Sequence, residues 1–442
     1  MRGTWTGSPI RAESWRSPRN FCPDLVAEPG RVFGPARGPS RSCVVTTSFS
    51  APPVERASGR EWAAVLSVAL GIFTLVTAEM LPIGLLSPMG SALGVSEGTV
   101  GLLVTVPGVV AAVSAPLITV LARDLDRKLL LCGLIGALTV ANLATALAPN
   151  FAVALIARIA IGVGMGGFWA LAGGLAMRLV PAPQVGRATS WIFSGIAAAS
   201  VLGVPAATLI GDASSWRTAC FAVSGLGFAV LIALVLCLPS LPAQRAVRPR
   251  ELGVLVRRNR GIAAGLVLIL LLVTGHFAAY TFVRPMLEEL HGIGAGGLSA
   301  LLLGYGVAGI TGTFLVGNRD PRRSLLVITI VIAAVTAALA LTDGPVIAVA
   351  LMLIWGLAYG GVSVSIQKVL LGSAPDQAEA ASSVFVAMFN LAIAAGALIG
   401  GRAVDLISLP ATLWIACAAT ALAAVVVLTS VRPAPPRPDH RR

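Results

Sequence analysis

Twelve apolar runs, each about as long as a bilayer is thick, fill the chain from Trp62 to Val431 and leave few folds open to it. They fall near 62–86, 98–122, 129–148, 152–177, 189–210, 218–238, 261–283, 297–317, 324–342, 345–370, 380–401 and 406–431. In hydrocarbon every backbone N–H and C=O needs a partner inside the protein, and runs of this length supply one only as helices. The expected fold is therefore an all-α integral membrane protein with twelve transmembrane helices. The loops between them, taken in order, separate the basic residues. Fifteen Lys and Arg fall on the side of the even-numbered loops, counting Lys368 near the end of the tenth run, against three on the odd side: Arg217, Arg284 and Arg402. Cytoplasmic loops carry such an excess, so both termini are expected in the cytoplasm of a bacterial cell membrane.

Composition narrows the function classes. Hydrophobic residues make up 56% of the chain and charged residues 12%, about half the charged share of a soluble domain. The net charge of +13 is dispersed over loops and tails, which fits membrane topology and argues against a nucleic-acid partner. Cys132, Cys220, Cys237 and Cys417 lie in or at the ends of apolar runs at no metal-ligand spacing, while Cys22 and Cys43 precede them. Free thiols are expected, with no disulfide framework and no metal site. The glycines from Gly162 to Gly174 have neither a strand before them nor a Lys-Ser/Thr after them. They read as close helix packing and not as a phosphate loop, and no cofactor is expected. Nor is there a paired-acid, His-rich or Ser-with-base cluster for catalysis, so the chain is not expected to be an enzyme.

Residues 1–58 hold eight prolines and no apolar period, so they are expected to be a disordered basic tail, unless translation begins further downstream. The rest divides into a six-helix bundle over 59–238, a cytoplasmic linker over 239–260, a second six-helix bundle over 261–431 and a short tail over 432–442. An internal repeat supports this division. Thr77-Ala-Glu79 precedes Pro88 as Thr274-Gly-His276 precedes Pro285, and Arg123-Asp-Leu-Asp126-Arg127-Lys128 corresponds to Arg319-Asp320-Pro-Arg322-Arg323.

Several segments carry a resemblance. Thr119-Val-Leu121-Ala-Arg123-Asp124-Leu-Asp126-Arg127-Lys128 is similar to the loop signature of the major facilitator superfamily, with Arg123 where that family has its gating aspartate and Asp124 or Asp126 as substitutes. Arg158-Ile-Ala-Ile-Gly162 resembles its buried-arginine motif. Gly203-Val-Pro205 and Gly211, followed by Trp216-Arg217, resemble the antiporter motif of its drug:proton group. More narrowly, Thr77-Ala-Glu79-Met-Leu-Pro82, Gly166-Gly-Phe168-Trp169, Met177-Arg178-Leu-Val-Pro181 and Tyr280-Thr-Phe-Val-Arg284-Pro285 look like bacterial purine-ribonucleoside efflux pumps. The resemblance implies two parallel six-helix repeats with a substrate site between them at the midplane. It also implies Arg123, Asp124, Asp126, Arg127 and Lys128 as a gating loop, and Gly203 with Pro205 as a bend.

Glu79 stands out on its own chemistry. An ionised side chain inside an apolar helix costs about 2.5–3.5 kcal/mol on insertion scales, and proton exchange or a water-filled cavity is the usual reason to keep one. The alternative is a permanently paired carboxylate. Counting about 1.5 Å per residue from the outer ends of their helices puts Glu79 and Arg158 at one depth, as a switching or a static pair. His276 occupies the repeat-equivalent place, and its reference pKa of ~6.5 suits reversible protonation, although a hydrogen-bonded interior histidine fits as well. Tyr280, one turn on, shares its face. Trp169 and Phe168 are candidates for stacking on a planar cargo or for lining helix contacts, and Gln367 and Asn390 for bonding cargo or neighbouring helices. The expected protein is a monomeric, proton-coupled exporter of a small molecule, a purine ribonucleoside or a drug-like compound, working in the lipid bilayer by alternating access. The alternative is a passive uniporter or importer.

Overall fold

The computed structural model describes residues 57–121, 125–242, 259–317, 319–374 and 377–430. Arg123, Asp124, nearly all of the 1–58 tail, most of the 239–260 linker and the 432–442 tail lie outside them. Among the described residues twelve helices are long and apolar enough to cross a membrane. We number them α1 (Gly59–Gly84), α2 (Leu102–Leu121), α3 (Arg127–Ala146), α4 (Phe151–Leu179), α5 (Ala182–Ala213) and α6 (Trp216–Cys237). The second half comprises α7 (Arg260–Tyr280), α8 (Ala295–Gly317), α9 (Pro321–Leu341), α10 (Pro345–Ser373), α11 (Ala378–Leu406) and α12 (Leu409–Ser430).

Local chemistry sets where they begin. Ser58 and Glu61 form a reciprocal capping box at the start of α1, satisfying two of the N–H groups that a helix leaves unpaired at its N-terminus. Asp126 caps α3 and Asp320 caps α9, so the repeat seen in the loop sequences is also a repeat of caps. Two runs differ from their expected form. The fifth begins earlier, at a 3₁₀ turn of Ala182–Gln184 that follows Pro181, because proline fits the start of a helix and not its interior. The tenth is interrupted at Gly361, where the chain restarts as Val362–Ser373.

Glycine decides how closely the helices approach. α1 and α5 run side by side with Gly195 against the Ala69 backbone, Gly203 against Thr77 and Gly211 against Leu85. The spacing is eight residues on both helices, and a Cβ at any of the three glycines would overlap its neighbour. Without hydrophobic drive between helices in lipid, such small-residue stripes are what brings backbones together. Halfway along, α5 carries a single π turn at Ala199–Gly203, and α-helix resumes at Val204 with Pro205 in its first turn. Gly203 and Pro205 therefore sit at a local irregularity of the helix, where π turns are frequently found at functional sites.

The halves meet along α2 with α11 and α5 with α8. At the face of the odd-numbered loops the seam is tight. Gly98 abuts Gly401 and Gly101 lies against Ala397 and Phe282, while halfway along their helices Gly306 of α8 meets Ser200 and Val201 of α5. Polar contacts reinforce it. Asp405 accepts from Ser96 Oγ at 3.0 Å and from the Gly98 amide at 3.2 Å. Arg284 Nη1 reaches Asp212 Oδ1 and the Gly84 carbonyl, both at 2.8 Å, and Arg284 Nε lies 3.0 Å from Glu288. Beyond the contact of Gly108 with Asn390 and Ala394, α2 and α11 part. A cavity of about 320 Å³ opens there, lined by Val109, Ala112, Val113, Val384, Ala387, Met388 and Leu391. Contacts between the halves are thus tight toward the odd-loop face, and the α2–α11 seam carries an apolar groove toward the even-loop face.

Candidate functional site

Glu79 and Arg158 are brought together, though not as a direct pair. Arg158 is fully buried, and its Nη1 donates to the Ala78 carbonyl at 2.7 Å. Pro82, four residues on, explains why that carbonyl is free: proline has no N–H to complete the helical bond from position i+4. The arginine fills the gap that the proline leaves. Glu79 is buried next to it, with Oε1 taking no hydrogen bond. Among the described residues no ion pair joins the two, but they are near enough for their charges to interact. Arg158 Nε and Nη2 are likewise without partners. A buried cation fixed on a backbone carbonyl, beside a carboxyl with an unused oxygen, is chemically able to respond to a proton or to a polar ligand.

His276 lies in a different setting from Glu79. It is buried in an aromatic column, its ring centroid 3.4 Å from Tyr359 and 4.8 Å from Tyr280, with interplanar angles of 13° and 20°. Tyr305 stacks on Tyr280 at 4.9 Å, and Trp355 stands edge-on to His276 at 5.3 Å. Among the described residues no carboxylate pairs with it. The chain has three tyrosines, and all of them are in this column. Sequence reasoning found only Tyr280. The signal available for Tyr305, Tyr359 and Trp355 was that each is a polar-tipped ring within an apolar run of the second half.

The other expected cavity residues are placed differently from one another. Phe168 is fully buried, and its ring packs on the Gly71 backbone of α1. That makes it a wedge between α4 and α1, the helix-contact alternative of the two it was open to, because glycine at 71 leaves a slot that the ring fills. Trp169 is half-buried and stacks on Phe193 of α5 at 6.1 Å. Gln367 is exposed, toward the even-loop end of α10. Asn390 is buried at the α2–α11 seam, and its Nδ2 donates along its own helix to the Val386 carbonyl at 2.9 Å.

The even-loop segment after α2 also departs from expectation. Asp126 does not bridge the halves in its contacts. It accepts from the Lys128 amide at 2.7 Å, from the Leu241 amide at 3.0 Å and from the Ser240 hydroxyl. The Arg127 amide donates to the Leu241 carbonyl, and Arg178 donates to the Pro242 carbonyl. Its role is to latch the chain leaving α6 onto the start of α3, because the cap position aims its carboxylate at that strand of backbone. In the second half Lys368 donates to the Val316 and Gly317 carbonyls at the end of α8, where a cation complements the helix dipole.

The Ser240 hydroxyl, with the Leu241 and Lys128 amides and the Arg178 charge, holds the Asp126 carboxyl below its usual range. A group whose folded pKa is lowered contributes stability above its unfolded value of ~3.9 and loses it as pH falls through the folded value. Asp126→Asn should therefore lower the Tm by a few degrees near neutral pH. The gap from the parent should begin to narrow below about pH 4 and close once pH passes the lowered folded value, where the parent acid is neutral too. Thermal unfolding of the purified pair across pH checks this, and a gap that persists in acid would refute it.

Comparison with known proteins agrees with this architecture. The family model described as Major Facilitator Superfamily matches residues 68–386 and again 315–442. The purine ribonucleoside efflux pump NepI of Escherichia coli O6:K15:H31 is 35% identical over 377 residues, covering 84% of this chain and 94% of its own length. Among solved structures, a bacterial homologue of the human lysosomal transporter Spinster, in an inward-facing and unoccupied conformation, aligns with a TM-score of 0.66 at 14% identity. That alignment covers 85% of this chain and 96% of the other. The nucleoside transporter NupG aligns with a TM-score of 0.65 at 14% identity, over 84% and 100% of the two chains. At that identity the structures speak for the fold alone. Twelve spans in two related halves, meeting through α2–α11 and α5–α8 and matched nearly end to end by the family model, make this multi-pass bacterial membrane protein a transporter of the major facilitator superfamily.

Proposed function

We propose that this transporter exports a small planar solute, a purine ribonucleoside first and drug-like compounds next, in exchange for protons by alternating access. Glu79 carries the reading. It is a buried carboxyl in α1 with an unbonded oxygen, set beside a guanidinium that is anchored on a neighbouring carbonyl and so is not consumed by the acid. A carboxyl held by a permanent salt bridge would have no capacity to spare, whereas this one can exchange a proton as its surroundings change. The cargo follows from relatives named as purine ribonucleoside efflux pumps. The excess of basic residues on the even-loop side makes that side cytoplasmic. Closure at the odd-loop face then corresponds to an inward-facing protein, the state in which an exporter loads. In this reading the protein works as a monomer.

Purified full-length protein in liposomes, with radiolabelled inosine outside, tests the proposal. An imposed acid interior should drive accumulation of inosine, because protons leave as cargo enters. Accumulation that ignores the pH gradient would replace antiport by passive uniport, and no movement of inosine, adenosine or guanosine would remove the cargo assignment.

A further inference from the structure

The aromatic column of the second half is an unusual object to bury. Its rings come from α7, α8 and α10, and Tyr359, His276, Tyr280 and Tyr305 pack with successive planes within 28° in a folded stack, since His276 and Tyr305 are themselves 6.5 Å apart. The column is built from polar-tipped rings, and its polar tips are unused. His276 Nδ1, Tyr305 Oη, Tyr359 Oη and Trp355 Nε1 are all buried without a hydrogen-bond partner. A column that served packing alone would gain nothing from hydroxyl and N–H groups that it must strip of water. Phenylalanine would fill the same volume without that cost. His276, Tyr305 and Trp355 are enclosed, whereas Tyr280 and Tyr359 keep part of their surface exposed and are the two rings of the cluster that a flat cargo ring can reach.

We propose that this column is the platform on which the planar ring of the cargo stacks, with the unpartnered phenol, imidazole and indole groups bonding the heteroatoms at the ring's edge. It rests on the purine-ribonucleoside reading above and adds the place and the chemistry of recognition. Stacking selects for a flat aromatic ring of any identity. The unfilled donors and acceptors then favour a ring with nitrogen and carbonyl groups on its edge over a plain hydrocarbon ring. Free ribose, which has no face to stack, should not use this subsite. The division of labour follows the repeat: the aromatic platform surrounds the residue in the second half that corresponds to Glu79 in the first.

Equilibrium binding of radiolabelled inosine to purified full-length protein tests the proposal, with guanosine, uridine and ribose as competitors. Tyr280→Leu and Tyr359→Leu should each weaken inosine binding about ten- to a hundredfold, the range expected for losing one stacked ring. They should also narrow the preference for guanosine over uridine, because the larger ring gains more from the platform. Tyr359→Phe keeps the ring and removes the hydroxyl, so it should bind about three- to tenfold more weakly at an unchanged Tm. That variant decides the matter if the leucine substitutions unfold the protein. Inosine binding by the parent with unchanged affinity in all three variants would overturn the platform and leave the export reading standing. A parent that binds none of the purine ribonucleosides would overturn both.

Discussion

Glu79→Gln should abolish the accumulation of cargo driven by a pH gradient while leaving solute exchange across the membrane in place. Glutamine matches the carboxyl in size and hydrogen-bonding reach, so the packing of α1 against α4 and α5 is kept. What is lost is the capacity to take and release a proton. In liposomes, inosine counterflow without a gradient should continue at a rate near that of the parent. Accumulation on imposing an acid interior should fall to the level of empty vesicles. Because Arg158 is held by the Ala78 carbonyl, removing the charge at 79 should not strand that cation, and the variant should insert and purify normally. Breaking a direct buried ion pair would cost on the order of 3–5 kcal/mol and compromise folding, so ordinary expression of the variant is part of the expected result. Gradient-driven accumulation at the parent rate in Glu79→Gln protein would end the proposed coupling role.

Arg284→Gln should shift the protein toward a state open at the odd-loop face. One guanidinium joins the halves there, through Asp212 at the end of α5 and the Gly84 carbonyl at the end of α1, and Glu288 lies alongside. Arg284 and Asp212 side chains are only 6% and 12% exposed, so the lost contact is little screened by water. A cost of about 2–3 kcal/mol to the closed state alone would change the closed-to-open ratio by roughly thirty- to a hundred-and-fifty-fold. Spin labels on cysteines at Ser214 and Glu289, both at this face, provide the readout in an otherwise cysteine-free protein. The parent should give one short distance, and the variant a longer and broader distribution. Asp212→Asn should act in the same direction, and the double variant should show less than the sum of the two if they share one contact. Distances unchanged by Arg284→Gln would show that glycine packing along α2–α11 holds the face closed without the arginine.

The sequence made the spans and their order plain because each run carries its own signal, some twenty apolar residues bounded by charge or proline. The repeat was legible for the same local reason, and Asp126 and Asp320 recur in the structure as matching caps. Contacts across the bundle were harder to read. Equal depth drew Glu79 and Arg158 together, but depth says nothing about which acceptor a guanidinium chooses. The freed carbonyl of Ala78 was implied by Pro82, three residues past the glutamate, and becomes meaningful only once an arginine is seen upon it. Phe168 stayed open between stacking on cargo and lining a helix contact, because aromatic residues near a cavity and aromatic residues in a helix seam have the same local sequence. Arg284 was counted only as an odd-side loop charge and Asp212 was not singled out, since the two partners lie far apart in the chain, here 72 positions. The tyrosine column was missed for that reason too: Tyr280, Tyr305 and Tyr359 belong to three different helices.

Both interior arginines of the site and the gate dock on α1 in one manner. Ala78 precedes Pro82 by four residues and Gly84 precedes Pro88 by four, so neither carbonyl can take the ordinary α-helical bond from the residue four positions on. Arg158 and Arg284 supply the missing donors. A buried carbonyl left without a donor costs about 1–3 kcal/mol, and only water or another N–H can remove that penalty. The two sockets differ in what lies outside them. Gly84 is at the odd-loop face, where opening admits water to take the place of the guanidinium. Ala78 lies deep in the bundle beside a fully buried arginine, with no such substitute at hand. The chain has thus written one releasable and one permanent anchor into seven residues of α1, with Glu79 between them. When the odd-loop face opens, that helix should let go at its end and hold fast at its middle, so the segment around the carboxyl bends while its charged neighbour stays still.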